Sequence, residues 1–199
     1  HIRQSTKHDI AREQEEQFSF EQALNQAKGN ADYIVIDTPG SYTHLSKIAH
    51  SYADTIITPI NDSFLDLDVM AKIDGETLDI SKPSIYSQMI WEQKMERATR
   101  DKGSIDWIVL RNRLSNLDAH NKRKVGEALE KLAKRISFRI APGFSERVIF
   151  RELFPQGLAL LDLNASNHNK SFSISLVAAM QELRSFCDIL GVESNKQTA

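Results

Sequence analysis

The sequence predicts an α/β fold in which a mostly parallel sheet is flanked by helices. Apolar, largely β-branched runs of strand length alternate along the chain with amphipathic segments of helical spacing. The 199 residues are 41% hydrophobic and 26% charged, which suits one globular domain with a real core. We therefore expect residues 1–190 to form a single α/β domain and residues 191–199 to be a flexible tail.

The most informative stretch covers residues 32–40, which read Asp-Tyr-Ile-Val-Ile-Asp-Thr-Pro-Gly. Its four apolar residues, 33–36, predict a strand that is buried on both faces. Asp37 would then lie at the carboxyl end of the strand, where open α/β sheets bind ligands. There it could hold Mg²⁺ through a water, and the turn at residues 38–40 could respond to a terminal phosphate. An ordinary strand followed by an Asp-Pro-Gly turn fits the same residues.

The remaining elements of the first half follow from apolar spacing. A short helix is expected at residues 18–27, with Gly29 as its C-terminal cap, and a second buried strand at residues 54–59. Two further helices are expected at residues 43–52 and 64–80. Their inward-facing residues would be Leu45, Ile48 and Ala49 in the first, and Leu65, Val69, Ile73 and Leu78 in the second.

The second half continues the alternation. Helices are predicted at residues 86–100, 118–135, 146–154 and 174–190, and strands at residues 105–110 and 136–140. In the 118–135 helix, Val125, Leu129 and Leu132 form the inward stripe. Ser145 is placed to cap the helix that follows it.

Three predicted strand ends open on the same edge of a parallel sheet: residues 37–40, 111–113 and 141–143. Asn112 carries a donor and an acceptor on one planar amide, which matches the edge of adenine. Pro142 could pack on the face of the base. These residues together would suit a nucleotide pocket, although Asn112 taken alone is more often a turn residue.

Nucleic-acid binding would depend on a local patch, since 25 basic and 27 acidic residues give a formal net charge of −2. Basic residues cluster on the 118–135 helix, away from its apolar stripe, and continue just after the last short strand. A solvated helix face is the plain alternative. The candidate contacts are Lys122, Arg123, Lys124, Lys131, Arg135, Arg147 and Arg151.

Cysteine content and hydropathy indicate the compartment. One cysteine, Cys187, excludes an internal disulfide and fits a reducing cytoplasm. No apolar run approaches the roughly 18 residues of a membrane span, so we expect no membrane association.

Several strings resemble one family. Residues 34–40 look like the second phosphate-side motif of the deviant-Walker P-loop ATPases of the ParA/MinD group. Within that group, five further strings are similar to the MipZ family, which positions the division plane. They lie at residues 58–64, 82–87, 107–114, 138–143 and 147–155, so the resemblance covers residues 32–163, with helical similarity to residue 190.

The resemblance implies a cytoplasmic, nucleoid-associated ATPase that uses ATP and Mg²⁺. Such a protein forms a homodimer when ATP is bound, binds nonspecific DNA and the centromere-binding protein ParB, and inhibits FtsZ polymerisation. Carried over by motif, Asp37 would orient water and Mg²⁺, and Thr38, Pro39 and Gly40 would respond to the γ-phosphate. Asn112 would contact adenine with Arg113 and Pro142 beside the base, and Lys124 and Arg147 would contact DNA phosphates.

Beside these site residues, the sequence has one further loop that matches the family and two departures from the family pattern. Asn61 and Asp62 match the loop that faces the nucleotide and the partner subunit. Ser41 stands where the family often has a second glycine, which could stiffen the turn. The family's Gly-rich phosphate loop has no counterpart in residues 1–31, whose sole glycine is Gly29.

Because that loop is missing, we expect the chain to be the carboxyl-terminal portion of a longer P-loop domain. The ATPase activity is expected of the complete protein, and these residues alone are not expected to hydrolyse ATP. Without the phosphate-loop strand, the sheet would expose unpaired strand edges. Two alternatives stay open: a non-catalytic DNA-binding scaffold that lost the loop, and a generic ParA-type partition ATPase.

Overall fold

The computed structural model describes residues 2–61, 63–73, 80–114, 119–163 and 174–192, and it confirms the predicted α/β class. A parallel three-stranded sheet is flanked by helices. The elements run in the order α1 (Ile2–Lys28), α2 (His44–Tyr52), β1 (Thr55–Asn61), α3 (Phe64–Leu67), β2 (Ala71–Ile73), β3 (Ile80–Pro83), α4 (Ile85–Asp101), β4 (Asp106–Asn112), α5 (Ala119–Ile136), β5 (Arg139–Ala141), α6 (Val148–Leu153) and α7 (Ile174–Leu190).

The chain forms two compact units, which are described separately. The first contains His1–Ile56 and Ile85–Ile105, and the second contains Ile57–Ser84 and Asp106–Ala199. The boundary between them runs through β1. The single domain expected over residues 1–190 stays a prediction.

The first unit is built from the helices α1, α2 and α4. The hydroxyl oxygen of Thr43 accepts the backbone N–H of Ser46 at 3.1 Å and thereby caps α2. Arg97 on α4 donates to the backbone oxygens of Tyr52 (3.1 Å) and Ala53 (2.8 Å), where α2 ends. These bonds satisfy carbonyl groups that a helix end leaves without intrahelical partners.

The predicted buried strand at residues 33–36 is wrong. These residues belong to neither of the two sheets in the described part of the chain, and their side chains are exposed, Val35 to 94%. A strand is stabilised by hydrogen bonds and side-chain contacts with a neighbouring strand, and residues 33–36 have no such partner in the described sheets. A prediction from hydrophobicity alone therefore gave residues 33–36 the wrong environment.

The second unit holds the sheet, with strand order β1-β4-β5. Strands β4 and β5 are parallel, and Ile108, Val109 and Leu110 pair with Arg139, Ile140 and Ala141. The buried character predicted for β4 is confirmed, because Trp107 to Leu110 are all buried.

Helices cover this sheet with the residues that the pattern predicted. The α5 stripe of Val125, Leu129 and Leu132 is fully buried, as expected. A second cluster joins Ile108, Leu110 and Ala141 to apolar residues of α7, namely Phe186, Ile189 and Leu190. The predicted final helix at residues 174–190 is confirmed.

The helix predicted at residues 64–80 is also wrong. α3 ends at Leu67, and β2 and β3 then pair antiparallel, with Lys72 opposite Lys82. Leu65 (80% exposed) and Val69 (50% exposed) do not form the predicted stripe, whereas Leu67 and Met70 are fully buried. Cross-strand pairing with residues seven to twelve positions away decides the structure of residues 71–73, and helical spacing carries no information about that pairing. The predicted stripe residue Leu78 lies outside the described residues.

Smaller corrections concern helix ends. α1 starts at Ile2, far earlier than the predicted residue 18, and its polar part is supported by i,i+4 pairs such as Arg12 with Glu16 at 3.5 Å. Leu45, expected inward, is 45% exposed. Ser145 does not cap α6, which begins at Val148 with Arg147 in the N-cap position, because the Ser145 hydroxyl is bonded to another helix.

Candidate functional site

The carboxyl end of β4 presents Asn112 and Arg113 in the second unit. Asn112 is the last residue of the strand, and its side-chain oxygen accepts the backbone N–H of Arg113 at 2.9 Å. Arg113 adopts a left-handed backbone with φ of 52°. Asn112 thus stabilises the turn with its oxygen, while its amide nitrogen carries two N–H donors that a ligand can use.

The neighbouring end of β5 is joined to this turn by backbone hydrogen bonds. The Phe144 N–H donates to the Arg111 carbonyl and the Leu114 N–H donates to the Phe144 carbonyl, both at 2.9 Å, and the Glu146 N–H reaches the Leu114 carbonyl at 3.2 Å. Pro142, which follows the paired residue Ala141, therefore lies beside the end of β4. The structure brings together Asn112, Arg113 and Pro142, the three residues predicted around a base.

Gly143 permits this close approach. A Cβ atom there would lie 2.5 Å from Leu114 Cδ1 and 2.7 Å from the Arg111 carbonyl oxygen. The second of these atoms belongs to a backbone that is itself hydrogen-bonded, so it cannot easily move. Only glycine fits between the two strand ends as they stand.

Sequence reasoning missed Glu182, which holds the loop after β5 from the side of α7. Its carboxylate accepts the Ser145 N–H at 3.2 Å and the Ser145 hydroxyl at 2.8 Å. It also accepts Arg147 Nε at 3.3 Å and Arg147 Nη2 at 2.7 Å. The sequence did contain one indication of this role: Glu182 is an acidic residue on the apolar face of the last helix, four residues before Phe186.

The electrostatics of this ion pair follow from its environment. Burial alone would raise the pKa of the Glu182 carboxyl, but hydrogen bonds from Arg147 and Ser145 outweigh burial and lower that pKa below its ordinary value. The bond to Glu182 raises the pKa of Arg147. Both side chains are largely buried, with exposures of 18% for Arg147 and 19% for Glu182, so the pair is less screened than a surface bridge.

The predicted phosphate-side residues, 37–40, lie in the first unit and outside helices and strands. Asp37, Pro39 and Gly40 are exposed, and Thr38 is half-buried. The Pro39 carbonyl accepts a long hydrogen bond of 3.5 Å from the Ser46 hydroxyl. Asn61 ends β1 in the second unit, where its N–H donates to Asp66 at 2.8 Å, and its neighbour Asp62 lies outside the described residues.

The residues predicted around the base and those predicted around the phosphates differ in how well they fit ATP and Mg²⁺. The amide of Asn112, the exposed ring of Pro142 and the cation of Arg113 fit a purine. Residues 37–40 lie outside helices and strands, and one N–H group at the nearby N-terminus of α2, that of Ser46, is already bonded to the Thr43 hydroxyl. In the described part of the chain, no three Asp, Glu, His or Cys side chains are grouped to hold a metal ion.

The predicted DNA-contacting residues separate into two groups. On α5, Arg123, Lys124, Lys131 and Arg135 are exposed, although Arg123 lies 3.9 Å from Glu127 and Arg135 donates to the Ile80 carbonyl at 2.5 Å. The side chain of Lys122 lies outside the described residues. After β5, Arg151 is exposed at 3.5 Å from Glu146, whereas Arg147 is turned toward α7.

The helices among the described residues include none with both the length and the hydropathy of a membrane span.

Comparison with known proteins identifies the family. A family model described as ATPase MipZ matches residues 1–194. A search of curated proteins finds no match to the chain. The matched range includes the first unit and the second unit as far as residue 194, and with them the joined ends of β4 and β5, the turn at residues 37–40 and the basic face of α5. The chain belongs to the MipZ family of ATPases, which positions the division site.

Proposed function

We propose that the protein is an ATP-dependent dimeric switch that positions the bacterial division site. In this proposal it binds ParB and nonspecific DNA as a cytoplasmic, nucleoid-associated homodimer, and it inhibits FtsZ assembly. Family membership supports the ATPase and the cell-division role. The observation that carries nucleotide binding is the joined edge of β4 and β5, where Asn112, Arg113 and Pro142 lie together.

Each of these three residues has a physical role at a base. The Asn112 amide nitrogen donates to a ring acceptor on the adenine edge. The Asn112 oxygen uses one lone pair for the Arg113 N–H, and its second lone pair accepts the adenine amino group, which guanine replaces with a carbonyl. The exposed Pro142 ring packs against the face of the purine. Bound ATP with Mg²⁺ would supply the phosphoryl chemistry, which Asp37 and residues 38–40 would serve in the complete protein.

DNA binding is proposed for the exposed face of α5. Lys124 and Lys131 stand seven residues apart, two helical turns, and are exposed on one side of the helix, away from the buried Val125, Leu129 and Leu132 stripe. Cations on an exposed face contact phosphates and carry no base information, so binding would be independent of sequence and sensitive to salt. The overall charge of −2 makes such a local face necessary.

The test is nucleotide binding by the purified protein, followed with a fluorescent ATP analogue, and molar mass measured by light scattering with ATP or ADP. We expect ATP to be bound and to raise the proportion of dimer. Asn112→Ala should weaken ATP binding by roughly tenfold, since it removes a hydrogen bond to the base. Asn30→Ala, in a surface turn of the first unit, is the matched control. A protein that binds neither nucleotide would contradict the proposed switch.

A second candidate is a non-catalytic DNA-binding scaffold. It is favoured by one observation: residues 37–40 lie outside helices and strands, with Asp37, Pro39 and Gly40 exposed. The two candidates differ in their nucleotide requirement. DNA affinity that is identical with ATP, with ADP and without nucleotide would support the scaffold, and affinity that rises with ATP would support the switch.

A further inference from the structure

The loop between β5 and α6 is held from two sides in the second unit. On one side it is bonded to the end of β4, through Arg111 and Leu114. On the other side it contacts α7 through two residues four positions apart, Glu182 and Phe186. The Phe144 ring meets the Phe186 ring edge-on at a centroid distance of 5.6 Å. The loop that carries Pro142 is therefore positioned by α7 as well as by the sheet.

Glu182 supplies the polar part of this attachment. A carboxylate has two acceptor oxygens, and here each oxygen accepts one bond from Ser145 and one from Arg147. Bonds to an ionised acceptor are stronger than neutral ones. Four such bonds from two residues fix the loop in translation and in rotation, which apolar contact by Phe186 alone does not do.

The hydrogen bonds from Ser145 to Glu182 affect the residues around the base, because Ser145 is itself paired with the segment that follows β4. Ser145 forms a parallel bridge with Leu114, and Leu114 follows Asn112 and Arg113. On the other side of the loop, Gly143 lies so close to the end of β4 that an added Cβ atom would be 2.7 Å from the Arg111 carbonyl oxygen. A displacement of Ser145 would therefore shift both Pro142 and the turn of Asn112.

We propose that Glu182 is a positioning residue for the base-side edge, meaning the ends of β4 and β5 that carry Asn112, Arg113 and Pro142. Through Ser145 and Arg147, Glu182 fixes the loop after β5. It thereby sets the preference of the site for adenine over guanine nucleotides. This inference rests on the proposed function, because it concerns the same nucleotide site. It also assigns Arg147 a structural role in this conformation, separate from any contact with DNA.

A purely structural role for Glu182 would change stability and leave base preference alone. The experiment therefore combines two readouts on the intact chain. The first is amide hydrogen exchange at Leu114, Phe144 and Glu146, which needs no nucleotide. The second is the ratio of the dissociation constants for fluorescent ATP and GTP analogues. Asp188→Asn, which neutralises an exposed carboxylate on the same helix, is the matched control.

For Glu182→Ala we expect exchange at those three amides to accelerate roughly tenfold and the ATP preference to fall by a similar factor. Glu182→Gln keeps one acceptor oxygen and should give an intermediate result. If Glu182→Ala does not fold, Ser145→Ala removes only the hydroxyl bond of 2.8 Å and should show the same changes at smaller size.

Four results would overturn the inference. Unchanged exchange in Glu182→Ala and Ser145→Ala would show that the loop is held otherwise. Faster exchange with an unchanged base preference would reduce Glu182 to a structural role. A wild-type protein that binds ATP and GTP equally would remove the preference itself, and a wild-type protein that binds neither would also remove the proposed function.

Discussion

Trp107 on β4 donates its indole N–H to the hydroxyl of Thr58 on β1, at 3.0 Å in the buried core of the second unit. Trp107 is 2% exposed and Thr58 is 6% exposed, so water cannot easily replace this bond. The indole also packs on the Phe138 ring, with centroids 5.3 Å apart. This hydrogen bond fixes two adjacent strands of the sheet relative to each other.

Thr58→Val should destabilise the protein by about 1–3 kcal/mol, because it removes the acceptor while the indole N–H stays buried. Denaturant unfolding measures the loss. The exposed Thr99 on α4, changed to Val, serves as a control and should stay within about 0.5 kcal/mol of wild type. Adding Trp107→Phe to Thr58→Val should cost less than the sum of the two single changes. Additive costs would show that the bond contributes nothing.

Gly143→Ala should destabilise the protein by roughly 1–3 kcal/mol and weaken ATP-analogue binding, because the new methyl group would overlap the Arg111 carbonyl. Gly29→Ala is the matched control, since its nearest atom would lie at an ordinary 3.9 Å. Unfolding curves and nucleotide titrations check both effects. Equal stability of the two variants would mean that the loop after β5 lies further from β4 than described.

The Glu182 carboxyl should make stability depend on pH. Its pKa is lower in the folded protein than its ordinary value of 4.5, so the folded state favours the ionised form. The stabilisation is therefore complete above that ordinary value and is lost as the pH falls through the folded pKa. Measured from pH 7 to pH 3, the difference in unfolding free energy between wild type and Glu182→Gln should narrow. A difference that widens in acid would contradict the lowered pKa.

Lys124→Glu combined with Lys131→Glu should weaken binding of a random-sequence duplex and flatten its salt dependence by about two units of logarithmic slope. Fluorescence anisotropy over a salt series measures both quantities. Lys28→Glu introduces the same charge change once, at the end of α1 in the first unit, and should have a much smaller effect. An unaltered slope in the double variant would exclude the α5 face.

Val35→Ala and Val109→Ala form a matched pair that tests the environment of residues 33–36. Val35 is 94% exposed, so its truncation should change the unfolding free energy by no more than about 0.5 kcal/mol. Val109 is fully buried on β4, and its truncation should cost roughly 2 kcal/mol. Similar losses for both valines would place residues 33–36 in a buried strand after all.

Predictions from the sequence were correct for elements whose structure depends mainly on their own residues. The α5 stripe of Val125, Leu129 and Leu132 and the buried run of β4 were predictable, because periodicity and apolar length reflect the environment of each element directly. Residues 33–36 and 71–73 were not, because their structure depends on whether a neighbouring strand pairs with them: residues 33–36 pair with no strand in the described sheets, and residues 71–73 pair with β3.

The candidate site likewise has one part that could be predicted from the sequence and one part that could not. The positions of Asn112 and Pro142 after neighbouring strands could be predicted from strand order and polar strand ends. The contribution of Glu182 could not, because nothing local to it indicates that Ser145 and Arg147 lie across from it, 37 and 35 residues earlier.

The exposed run at residues 33–36 has a consequence for handling the protein. Short apolar, β-branched segments in the open tend to pair with copies of themselves and to initiate aggregation. This run is bordered by two aspartates, Asp32 and Asp37, and charges in such flanking positions act as gatekeepers against self-pairing. Removing the charge of Asp37 would therefore lower colloidal stability independently of any role at a phosphate. Loss of activity in an Asp37 variant can be attributed to chemistry only for samples shown to be monodisperse.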